Sequence, residues 1–212
     1  MSATGLASAF SVLGQFAGKR SEVESCELCA APLAAEHPHL VDPKAHKLIC
    51  ACQACAILFS AQAGTKYQRV PNTVRHLADF QLSDAAWDSL LIPINVAFFF
   101  RSSADGRIIA QYPSAAGATE SLLPMEAWSD VVEGNPVLAE MVPDVEALLV
   151  NRLGPRQGYA AHEYYLAPID ECYKLTYLIR ANWQGFSGGT EVWKRLETFF
   201  AELKARARTC HA

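Results

Sequence analysis

Residues 26–29 read Cys-Glu-Leu-Cys and residues 52–55 read Cys-Gln-Ala-Cys. A C-x-x-C pair sets two thiolates on one tight turn. Two such turns facing each other supply four sulfurs at tetrahedral geometry, which suits zinc and also a single iron. The pairs are separated by residues 30–51, 22 positions, slightly more than the usual zinc spacing, and a loop absorbs that excess at small entropic cost. Each pair is followed by an alanine, Ala30 or Ala56, small enough for the backbone to curl toward the sulfurs. The expected metal ligands are therefore Cys26, Cys29, Cys52 and Cys55. Cys50, two positions before Cys52, would share a strand face with it and is the alternative fourth ligand. Closed four-sulfur sites usually hold a fold together, and metal binding is then folding free energy.

Other reactive residues carry less. His37, His39 and His46 lie between the pairs and offer a mixed site, but beside Pro38 and Pro43 they are expected to face solvent. Cys172 follows Asp170 and Glu171, whose charge raises a thiol pKa, so it is expected to be a buried strand cysteine and not a nucleophile. His162 and Glu163, as neighbours on a strand, would point to opposite faces. Cys210 and His211 end a basic stretch expected to be disordered. The loops "PSAAGATES" and "GFSGG" match neither the phosphate-loop nor the dinucleotide pattern and read as turns. No catalytic residue is assigned.

The elements that must position these residues can be read from pattern. Hydrophobic residues make up 51% of the 212 residues, enough to bury a large core. The formal charge of -4 comes without a basic run, which argues against a nucleic-acid partner. The longest apolar run, residues 94–100, is too short to span a bilayer. Clustered C-x-x-C pairs fit a reducing cytoplasm better than a disulfide framework. At the N-terminus, the basic pair follows the apolar stretch, the reverse of a secretory signal. There Leu6, Phe10, Leu13 and Phe16 form a helical stripe, on a short helix or a disordered arm.

Downstream, "SDAAWDSLLIP" predicts a short helix capped by Ser83 or Asp84. "INVAFFFRSSADGRIIAQYPS" predicts a β-hairpin whose first strand is buried on both faces. "LPMEAWSDVVEGNP" and "PVLAEMVPDVEALLVNRLG" read as helical, with Asp144 as the cap of the second. "GYAAHEYYLAPIDECYKLTYLIRANW" reads as a second hairpin turning near Pro168, Ile169 and Asp170. Val192, Leu196, Phe199 and Leu203 predict a closing amphipathic helix. Strands and helices in mixed order predict an α+β fold with a mostly antiparallel sheet. Three parts are expected: an arm over 1–21, a four-cysteine module over 22–70 and an α+β domain over 71–212.

The strings "CELC", "HLVD", "CACQACAILF", "YPSAAGATES", "PDVEALLVNR" and "PIDECYKL" followed by "GGTEVW" resemble an uncharacterised family encoded in nickel-iron hydrogenase gene clusters. That resemblance implies an accessory role in hydrogenase assembly, or electron delivery to or from the hydrogenase, with hydrogenase subunits or maturation factors as partners. The knuckles themselves resemble zinc-ribbon and rubredoxin-like turns, although they lack rubredoxin's trailing Gly and its Pro after the first Cys of the second pair. The expected function is a non-enzymatic metal-binding accessory protein with structural zinc. The alternatives are a one-electron carrier with iron in the same four sulfurs, or, more remotely, dithiol chemistry at Cys50.

Overall fold

The computed structural model describes residues 24–60, 65–154, 162–185 and 188–212. The N-terminal stripe of Leu6, Phe10, Leu13 and Phe16 lies outside them.

A small sheet comes first. Strands β1 (His39–Asp42) and β2 (Lys47–Cys50) form an antiparallel hairpin, and β3 (Gln68–Arg69) pairs with the other edge of β1. Helix α1 (Gln53–Ser60) follows β2 directly. Leu40, Ile49, Ala51 and Ala56 form the small core of this module, together with Cys26 and Cys55.

A seven-stranded sheet carries the rest, in the order β10-β4-β9-β8-β5-β6-β7. Its strands are β4 (Arg75–Leu77), β5 (Val96–Ser102), β6 (Arg107–Ser114), β7 (Gly117–Ser121), β8 (Glu146–Asn151), β9 (Glu163–Pro168) and β10 (Arg208–Cys210). Neighbouring described strands run antiparallel except β10 on β4. The protein is α+β with mostly antiparallel sheets.

The pleat divides the core in two. Phe98 and Phe100 of β5 face the helices α4 (Ile169–Asn182) and α5 (Gly189–Arg206), where Leu175, Ile179, Val192, Leu196 and Phe200 meet them. Ala97 and Phe99 point the other way, onto Trp87 of α2 (Asp84–Ser89) and Trp128 of α3 (Met125–Gly134). The alternation is the period of two expected of a strand covered on both faces. Val41 of β1 joins the first of these cores, so the small sheet packs against the large one.

The predicted hairpin of β5 and β6 is present, with Phe99 opposite Ala110. Ser83 caps α2 by accepting the Ala86 N–H. The predicted closing helix is α5, and its buried residues include Val192, Leu196, Phe199 and Leu203.

Several expectations are corrected. "PDVEALLVN" is not a helix: residues 146–151 form β8, buried throughout, and an apolar run covered on both sides shows no alternation to separate it from a helix. Asp144, expected as a helix cap, instead adopts a left-handed backbone (φ 67°) that turns the chain into β8. Its carboxylate accepts from the Ser103 N–H and from Gln68 Nε2. The proposed second hairpin exists only in its first arm, β9, because Pro168 ends the strand and N-caps α4. Ile169, Cys172, Thr176 and Ile179 then recur with helical period, Asp170 and Glu171 occupy the positive N-terminal turn, and Arg180 the last turn. Cys172 is accordingly buried on a helix. Finally, the tail expected to be disordered is strand β10, with Cys210 beside Leu77.

Candidate metal centre

The first knuckle is a miniature turn pinned at both ends. Cys26 N–H donates to the Ala31 carbonyl and Ala30 N–H donates to the Cys26 carbonyl, each at 2.8 Å. Ala30 takes φ 60°, the left-handed conformation that brings the chain back beneath the sulfurs; an L-residue with a Cβ pays about 1 kcal/mol for it. Glu27 fastens this turn to β2. Its N–H donates to the Cys50 carbonyl, its carboxylate accepts from the Cys50 N–H and pairs with Lys47, and the Lys47 ammonium holds that carboxyl below its ordinary pKa.

The second knuckle is built differently. Cys52 sits at the N-terminal end of α1, where its carbonyl accepts from Ala56 N–H and its sulfur from Cys55 N–H. Ala56 is therefore an ordinary helical residue, and the parallel drawn between Ala30 and Ala56 does not hold.

The four sulfurs of Cys26, Cys29, Cys52 and Cys55 lie within 4.8 Å of one another. Cys29 Sγ and Cys52 Sγ are 3.7 Å apart, against about 3.8 Å for the edge of a tetrahedron with zinc–sulfur bonds of about 2.3 Å. The site is asymmetric: Cys26 and Cys55 are buried, Cys29 is exposed and Cys52 intermediate. Burial alone would push the Cys26 thiol up, but backbone N–H groups of Cys52, Leu28 and Cys29 outweigh it and bring the group down to about 6. Burial, followed by the neighbouring thiols, pushes Cys55 up to about 12. At Cys29 the Ala31 N–H pulls downward, yet the surrounding thiols leave the net shift upward. Cys26 thus ionises readily, while Cys29 and Cys55 need a cation to replace their protons.

The structure sets Cys50 apart from this group, beside His37 and His39. His39 is a strand residue, and His37, in the loop that leads into that strand, is largely covered. His39 opens β1 and hydrogen-bonds Asp170 of α4 at 2.8 Å, while the His37 side chain is only 7% exposed. Extended strand at residues 39–42, hidden by the flanking prolines, is the reason the expectation failed; His-x-His opposite "KLIC" was the overlooked signal. His46 does sit at the surface, 3.4 Å from Asp105. Of the remaining candidates, Glu163 accepts from Lys204, and burial lowers the pKa of His162. Burial, with Asp170 and Glu171 adding to it, puts the Cys172 thiol well above its ordinary value, which removes it as a nucleophile.

A protein-family model, the family of unknown function DUF5947, matches residues 25–207. The chain belongs to this family. The part matched to DUF5947 contains both knuckles, the small sheet and nearly all of the large one. No curated protein and no solved structure matches the chain. Among the described residues no helix is long and apolar enough to cross a membrane.

Proposed function

We propose that this DUF5947 protein is a metal-binding accessory protein whose module, residues 22–70, is held by one zinc on Cys26, Cys29, Cys52 and Cys55, and whose surfaces serve a protein partner. The convergence of four thiols within 4.8 Å from two separately built knuckles carries this reading. Four thiolates close the coordination sphere and leave no position for a substrate, so the ion's work is structural. The module's own core, four aliphatic side chains and two cysteines, is small, so metal binding supplies much of the free energy that holds it.

Two features support an interaction role. Immediately beyond Cys55, α1 leaves three large apolar side chains exposed, Ile57, Leu58 and Phe59, with Leu58 at 71%; exposed apolar surface supports a contact role. The resemblance to proteins encoded beside nickel-iron hydrogenases supplies the partner class, a hydrogenase subunit or maturation factor, and with it the cytoplasm as compartment. Metal analysis of protein purified without added metal tests the site: one zinc per chain and no colour is the expected result. Co-purification with the hydrogenase subunits at native expression tests the partner, and no enrichment would remove that part of the reading.

A second reading has one observation in its favour. Cys29 is exposed, which brings a ligand sulfur to the surface where an electron could leave. Iron in the same four sulfurs would make the protein a rubredoxin-like one-electron carrier. One iron per chain, with visible bands that bleach reversibly on reduction, would establish it over zinc.

A further inference from the structure

We infer that His37, His39 and Cys50 form a second, open metal site for a borderline divalent transition-metal ion, separate from the four-sulfur centre. Their candidate ligand atoms all lie within 4.8 Å of one another, and the backbone accounts for the grouping. His39 and Cys50 are directly opposed partners in the β1–β2 register, which puts both side chains on one face of the hairpin. His37 precedes His39 by two residues, and the Ala51 N–H donates to the intervening Pro38 carbonyl just outside the ladder. The two imidazole centroids are 4.8 Å apart.

Both rings are oriented as metal-binding imidazoles are. Nδ1 of His37 lies 3.0 Å from the Ala34 carbonyl, and Nδ1 of His39 lies 2.8 Å from the Asp170 carboxylate. Both of those oxygens can only accept, so in the neutral ring each Nδ1 carries the proton and each Nε2 keeps its lone pair. A carboxylate or carbonyl behind the ring is the usual outer partner of a ligating histidine. Nε2 of His37 is buried without any hydrogen-bond partner, on a side chain only 7% exposed. An orphaned buried acceptor is destabilising unless something satisfies it; a cation does so.

The charge around the site suits a cation. Glu24 lies 3.7 Å from Nδ1 of His37, and the carboxylate of Glu27, paired with Lys47, accepts from the Cys50 N–H. Two imidazoles and one thiolate make a ligand set for zinc, cobalt, nickel or copper and not for magnesium or calcium. Three protein ligands leave a coordination position open, the arrangement that accepts water or an exogenous ligand. His39 is 25% exposed at its side chain, so the ion has a way in. This site differs in kind from the closed centre: it can load, exchange and hand on an ion, or bind a group from the partner.

Cobalt(II) alone, titrated into the full-length apoprotein, is the test. Two equivalents are expected, the second with weaker sulfur-to-metal absorption because it adds one thiolate. His37→Gln and Cys50→Ser should each lose the second equivalent and keep the first, and the kept equivalent shows that the module has formed. Asp170→Asn, on α4 and outside the module, should weaken only the second equivalent, by roughly 10–100-fold. A single equivalent that survives in His37→Gln and is lost in Cys29→Ser overturns this site and leaves the four-sulfur centre standing. A single equivalent with the opposite pattern overturns the four-sulfur reading and upholds this one. A second equivalent indifferent to His37, Cys50 and Asp170 also refutes it.

Discussion

Replacing Cys29 by serine leaves too few sulfurs to retain the metal, and with the metal goes the cross-link between the two knuckles. The restraint lost can be sized from the chain. A metal bridging Cys29 and Cys52 closes residues 30–51, a loop of 22 positions, and the chain-entropy relation for a cross-link of that length gives about 3 kcal/mol. At about 1.4 kcal/mol per decade, the opened module becomes on the order of 100-fold more populated. The damage should stay local, because the large sheet keeps both of its cores, neither of which includes a knuckle cysteine. Native-state hydrogen exchange reads this directly: the amides of Leu40 and Ile49, opposed in the β1–β2 register, should lose about two decades of protection in Cys29→Ser or on chelation. Amides in β5 and β8 should change little. Unchanged protection of Leu40 and Ile49 after verified metal removal would refute the structural role of the ion, and stoichiometric metal in Cys29→Ser would refute the ligand assignment.

Four further outcomes follow from particular contacts. Ala30→Gly removes the left-handed strain at φ 60° and should stabilise the metal-bound module by about 1 kcal/mol, visible as slower metal loss to a chelator. In the apoprotein, the folded pKa of Cys26 sits near 6, below the ordinary 9.0, so its contribution is complete above pH 9 and is lost as pH falls toward 6. Cys55 is shifted the other way, to about 12, and its contribution is lost as pH rises from 9 toward 12, so exchange protection of the apo-module should peak near pH 9 and fall on either side. Glu27→Ala strips the Cys50 N–H of its acceptor and should cost about 1–2 kcal/mol in the module by chemical denaturation, whereas Glu27→Gln keeps an acceptor and should cost under about 1 kcal/mol. Asn135→Ala tests the large fold: the buried amide bonds the Gln81 backbone on both sides and the Val131 carbonyl, and its loss should lower global stability by about 3 kcal/mol.

The sequence was most readable where one rule decided the outcome. Two C-x-x-C pairs needed only turn geometry to be brought into one group, and the β5–β6 hairpin needed only apolar strands around Asp105-Gly106. Reading failed where burial erased the periodicity. Every residue of β8 is buried, so "EALLVN" offered no alternation, and its Leu and Ala suggested a helix. In α4 the helical spacing of Ile169, Cys172, Thr176 and Ile179 was present, but Tyr and Ile on both sides of a proline drew the reading toward a hairpin. The second cluster was out of reach for a different reason. His37, His39 and Cys50 become neighbours through strand register, and the carboxylate behind His39 comes from residue 170, 131 positions along the chain.

That last separation has a temporal side. The knuckles, the β1–β2 hairpin and β3 are all encoded before residue 70, and such local pairings form early as a chain emerges from the N-terminal side. Strand β4, encoded next, pairs with β9 and β10 and must wait for most of the protein. The four-sulfur centre can therefore fill on a nascent chain, while Asp170 reaches His39 only after α4 has been made. Synthesis itself would then order the two metals, the closed centre first and the open one on the completed fold.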